Sequence, residues 1–77
     1  MSILNQTHEQ IHGRLFGISS LNDAKRQAVS KAIQSMNAKG DFFPESMHRN
    51  MKALEQSGTL TQFERHAIMK EFFPGHF

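Results

Sequence analysis

The sequence predicts an all-α fold, a small bundle of four to five short amphipathic helices in a saposin-like or simple up-down arrangement. Three observations carry that expectation. At 77 residues there is room for one domain only, spanning residues 1–77. Gly40, Gly58, Pro44 and Pro74 divide the chain into four segments whose apolar residues recur at helical intervals. No segment alternates apolar and polar residues as a half-buried strand does.

The first helix is expected from about Ile3 to Phe16, with Leu4, Ile11, Leu15 and Ile18 on one stripe beside His8. Gly17, Ser19 and Ser20 close it. The second runs from about Leu21 to Lys39, with Ser20 as the cap and Asp23 three residues on. Leu21, Ala24, Ala28, Val29, Ala32, Ile33 and Met36 form its inward stripe, and the alanines call for a close helix neighbour. Arg26, Gln27, Ser30, Lys31 and Gln34 form the opposite, solvated face.

Gly40 suits the left-handed position after that helix, and Asp41, Phe42 and Phe43 lead to Pro44 at the first turn of the third. The third helix is expected from Pro44 to about Ser57, with Met47, Met51 and Leu54 inward and Phe42 stapled onto Met47. Gly58 ends it. Thr61-Gln62-Phe63-Glu64 reads as a capping box opening the fourth helix, which runs to about Phe73 before Pro74. A turn in the Asp41 to Phe43 link or the Pro74 tail would make a fifth.

Composition narrows the function classes. The absence of cysteine removes a disulfide framework, a thiolate zinc cluster and a cysteine nucleophile. No apolar run is long enough to span a bilayer, and Met1-Ser2-Ile3-Leu4-Asn5-Gln6-Thr7 lacks a signal peptide's pattern. The default expectation is a cytoplasmic protein, with peripheral membrane association or export without a cleaved signal as alternatives. A core of this size supplies only roughly 3 to 5 kcal/mol, so good packing, self-association or a ligand must help.

The sharpest motif is His8-Glu9-Gln10-Ile11-His12. It matches H-E-x-x-H and so resembles the zincin metalloproteases, which would make His8 and His12 zinc ligands and Glu9 the general base. The resemblance covers five residues, and His48, Glu64 or His66 would have to serve as third ligand. The expectation is a histidine pair at the helix surface or core edge, with no metal and no other cofactor. No nucleophile elbow, oxyanion loop or phosphate-cradling glycine loop accompanies it, so no enzyme is expected. His48, His66 and His76 have no partner at metal spacing, and the five histidines together would add positive charge on acidification. A formal charge of +2 spread over all four helices ranks nucleic acid below other partners, although Lys39, Arg49 and Lys52 flank a turn between two helices.

The last helix is the unusual one, because Leu60, Phe63, Ala67, Ile68, Met69, Phe72 and Phe73 spread over more than one face. All seven aromatics are phenylalanine, and five of them are Phe42, Phe43, Phe72, Phe73 and Phe77. They either plug the ends of the bundle or form an exposed apolar patch.

A cysteine-free chain of this length with short amphipathic helices and Phe-rich junctions resembles the saposin-like helical proteins. It is similar at the same level to the PAS factor family of small bacterial secretion proteins placed in that fold. Saposins proper carry six cysteines in three bridges, so the likeness is one of architecture, and no family residue is carried over. It implies a V-shaped bundle that hinges near Gly40 and Gly58 to show apolar faces to lipid. The expected function is therefore non-enzymatic, a Phe- and Met-rich surface presented to membrane lipid, promoting membrane perturbation or secretion. Phe42, Phe43, Ile68, Met69, Phe72 and Phe73 would form that surface, with Lys25, Arg26, Lys31 and Lys39 assisting on anionic headgroups. The alternative is a small adaptor or inhibitor that docks one protein partner, or a homodimer, through the same residues.

Overall fold

Helix punctuation written in the sequence sets the order of elements. A computed structural model describes residues 8–76, leaving out the side chain of His8. Among the described residues the chain forms four helices and no strand: α1 (His8–Leu15), α2 (Asp23–Ala38), α3 (Pro44–Gln56) and α4 (Gln62–Phe72). The part of the first helix expected before His8, with Leu4, lies outside the described residues.

Each start has a chemical cause. α2 opens at Asp23, not Leu21, and its cap is Asn22, whose Oδ1 accepts the Lys25 N–H at 2.9 Å. Ser20 is displaced because the chain first makes a turn, in which the Leu21 N–H donates to the Ile18 carbonyl at 3.1 Å and Leu21 is buried. α3 opens with extended Phe43 as N-cap and Pro44 at N1, where the missing N–H costs nothing. Phe42 and Met47 occupy the two staple positions and both are buried. In α4 the capping box forms as read: the Glu64 N–H donates to Thr61 Oγ1 at 3.1 Å and the Thr61 N–H donates to Glu64 Oε1 at 2.9 Å.

The ends of α2 and α3 share one device. Gly40 and Gly58 take φ of 66° and 86°, a region where side chains are strained. The Asp41 N–H then reaches back to the Met36 carbonyl at 2.8 Å, and the Thr59 N–H to that of Leu54 at 2.9 Å. α4 stops at Phe72, with Phe73 pushed out of the helical region by Pro74.

The helices close on one another in a ring: α1 packs on α2, α2 on α3, α3 on α4 and α4 on α1. The radius of gyration is 11.2 Å, against about 11 Å for a compact chain of this size, so the two halves are not splayed. Ile11, Leu15, Val29, Ile33, Met47 and Met51 are fully buried at the centre, with Ile68, Met69 and Phe72 supplied by α4. Ser30, expected on a solvated face, is fully buried because α1 lies against it, and Gln34 is half-buried. Ala24, expected inward, is exposed. No helix among the described residues is long and apolar enough to cross a membrane.

Candidate functional site

Gly40 turns the chain out of α2, and the short link that follows sends two adjacent phenylalanines in different directions. Phe42 enters the core. Its ring meets Phe72 edge-on at 6.1 Å and Phe73 at 5.0 Å, so the end of α4 is sealed against the start of α3. The link is held by Ser46, whose Oγ donates to Asp41 Oδ1 at 2.8 Å. Phe43, in extended backbone at the N-cap, is 53% exposed and makes no side-chain cap. Beyond α4 the tail folds back, with His76 edge-on to half-buried Phe73 at 6.2 Å. Between tail and α3 lies an open, mostly apolar depression of about 300 Å³ lined by Pro44, Glu45, His48 and His76. One end of the bundle is thus an aromatic plug with Phe43 standing outside it.

The closed bundle divides the apolar residues expected at the surface. Phe42, Ile68, Met69 and Phe72 are core, because the inward arc of α4 absorbs them. Phe73 packs against that core and only Phe43 is substantially exposed. The four cations divide as well. Lys25 Nζ donates to both Glu64 oxygens at 2.9 and 3.0 Å. Arg26 Nη1 donates to the Leu21 carbonyl at 2.6 Å, its Nη2 lies 3.7 Å from Asp23, and its guanidinium covers the Phe16 ring at 4.1 Å. Both are engaged internally. Lys31 and Lys39 are exposed.

The opposite end is built around Glu64, a buried carboxylate. The Lys25 hydrogen bond, and after it the Thr61 N–H, hold its carboxyl below the ordinary range against the opposing effect of burial. Arg65 pairs with Glu55 beside it, joining α4 to α3. Phe63 projects from this end at 73% exposed, over a shallow depression of about 370 Å³ lined with Gln62, Arg65 and His66. The sequence places Phe63 among apolar residues that spread over more than one face of the last helix, and does not single it out. The signal that separates it is spacing: it precedes Phe72 by nine residues, roughly two and a half helical turns, and so faces the other way. Phe16, 59% exposed, was likewise not singled out.

Of the two histidines in the H-E-x-x-H string, the structure describes the side chain of His12. His12 Nε2 lies 3.6 Å from Asp23 Oδ1, its Nδ1 lies 3.5 Å from Ser30 Oγ, and its ring meets Phe16 at 5.4 Å. The His8 side chain lies outside the described residues. No group of three histidine or carboxylate side chains suited to a metal occurs among the described residues. The Ser30-His12-Asp23 line has the residue types of a hydrolase triad, but Ser30 is fully buried, so no substrate carbonyl can approach its hydroxyl. In this geometry the line joins α1 to α2.

Comparison of the chain with protein-family models, with curated proteins and with solved structures finds no match in any of the three.

Proposed function

We propose that this is a non-enzymatic protein that seats the aromatic end of its bundle on a membrane surface. The observation that carries the reading is Phe43: a large apolar side chain, more than half exposed, on a rigid N-cap backed by the Phe42, Phe72 and Phe73 rings. An aromatic ring on a rigid base enters the lipid interface with little loss of side-chain freedom. The saposin-like part of the reading adds that the bundle opens about the Gly40 and Gly58 turns, showing Phe72, Ile68 and Met69 to lipid and perturbing it.

The test is binding to, and dye leakage from, phosphatidylcholine vesicles. The expected result is binding that Phe43→Ser abolishes while helical content and melting temperature stay in place. Binding that survives this change, or no binding by the parent protein, overturns the reading.

A second reading, a small adaptor for a protein partner, is favoured by Phe63, which stands over a concavity at the other end. It predicts one saturable partner lost on Phe63→Ser and retained on Phe43→Ser.

A further inference from the structure

The aromatic end is a run of neighbouring rings. Phe72 meets Phe42 at 6.1 Å, Phe42 meets Phe73 at 5.0 Å, and Phe73 meets His76 at 6.2 Å. Rings attract one another at such spacings, about 4.5 to 7 Å between centres. The run stops at His76, on the wall of the open depression of about 300 Å³ that Pro44, Glu45 and His48 complete. Pro44 and His48 lie four residues apart on α3 and so share one face of it, which makes that wall part of a helix.

The backbone of the tail delivers the chain to this place. The His76 N–H donates to the Phe73 carbonyl at 3.0 Å, closing a turn with Pro74 and Gly75 at its two central positions. Phe77, next in the sequence, lies outside the described residues. Its Cα stands about 3.8 Å from that of His76, so its side chain has two environments within reach, the depression and water. The depression is mostly apolar, and it is roughly twice the size of the cavity, about 150 Å³, that holds benzene in a protein interior. Glu45, His48 and His76 are all exposed, so a ring seated against Pro44 and the two imidazoles buries no charge.

We infer that this depression is a binding site for a phenyl ring and that its resident is the side chain of Phe77. The ring adds one member to the aromatic run and covers the end of the bundle on its α3 side. Phe43 and Phe77 thus differ in role, one projecting from the fold and the other seated in it. The ligand class is a flat apolar ring, and half-burying one is worth about tenfold in an equilibrium. Vesicle binding through Phe43 neither requires this site nor excludes it.

The experiment follows the imidazole proton resonances of His48 and His76 in the full chain by nuclear magnetic resonance, at a single alkaline pH. It compares the parent with Phe77→Leu and Phe77→Ala, and then adds benzyl alcohol to each. Helical signal is measured first, and if Phe77→Ala has lost it, Phe77→Leu, which keeps an apolar side chain without a ring current, carries the comparison. The expected result is a ring-current displacement of the His48 signal in the parent that both variants lose. Phe77→Ala should then bind benzyl alcohol saturably at the same signal, with a dissociation constant on the order of millimolar, and the parent should bind it about tenfold more weakly. Histidine signals that are the same in all three proteins overturn the inference, because the ring is then not beside them. No saturable displacement in Phe77→Ala overturns the phenyl site. Benzyl alcohol that acts equally on parent and variant overturns the resident, since the site was open all along. A parent His48 signal that moves with protein concentration also overturns it, by assigning the depression to a side chain of a second copy.

Discussion

The ammonium of Lys25 bridges both oxygens of buried Glu64, 2.9 and 3.0 Å away, and so ties the first turn of α2 to the first turn of α4. The same carboxylate closes the capping box with Thr61, which makes one side chain responsible for starting a helix and for docking it. Truncating Lys25 to alanine leaves that carboxylate buried with one partner fewer, an expected loss of about 2 kcal/mol in chemical denaturation. A change of less than a quarter of that would show the pair to be dispensable.

The pH dependence follows from the same carboxyl. Its folded pKa lies below the ordinary value, so the unfolded chain takes up the proton first as acid is added. The stabilisation is complete above the unfolded value of about 4.3 and is lost as pH falls through the folded one. Denaturation midpoints measured from pH 6 downward should therefore drop more steeply in the parent than in Glu64→Gln, and parallel curves would contradict the assignment.

Caps offer a sharper contrast. Asn22→Ala should cost about 1 kcal/mol, since it removes the acceptor for the Lys25 N–H. Ser20→Ala should cost almost nothing, as Ser20 is exposed and lies outside the helix. Thermal melts of the two variants decide which residue starts α2.

Phe43 and its neighbours separate surface from core. Phe43→Ser should leave stability within about 0.5 kcal/mol of the parent, whereas Phe72→Ala should cost about 3 to 5 kcal/mol and lose the bundle. Circular dichroism against temperature reads both.

The Asn37 amide is the one side chain whose oxygen and nitrogen are both buried without a hydrogen-bond partner among the described residues. Replacing it with leucine removes an unpaid desolvation and improves helix propensity, for an expected gain of about 1 kcal/mol. In a domain of this size that is a rise of roughly 4 to 8 °C in melting temperature, and a fall would refute the account.

What was legible in the sequence was local. Thr61 and Glu64, three residues apart, announce a capping box that needs nothing from the rest of the chain, and Gly40 and Gly58 mark the left-handed turns just as directly. The start of α2 was misplaced because Ser19, Ser20, Asn22 and Asp23 all carry capping oxygens, and only the turn at Leu21 chooses among them. Which aromatics lie inside this closed bundle was illegible for a related reason: Phe42 and Phe43 are identical in chemistry, and an extended link sends one inward and its neighbour out. Lys25 and Arg26 were offered to headgroups because their fates depend on tertiary contacts. The Glu64 that claims Lys25 lies on another helix, beyond the reach of any periodicity.

Arg14 leaves the fold with little room to come apart in pieces. From α1 its Nη2 donates to the Glu71 carbonyl at 2.8 Å, its Nε reaches the Glu71 carboxylate at 3.3 Å, and its guanidinium lies 4.4 Å from the centre of the Phe72 ring. That carbonyl belongs to the final turn of α4, where no further helical N–H arrives to claim it. Lifting α1 away thus strips a hydrogen bond from the far end of the chain and uncovers the ring that seals the bundle. The two terminal helices should consequently exchange their amide hydrogens through one shared opening event, as a single cooperative unit, although the chain places them at opposite extremes.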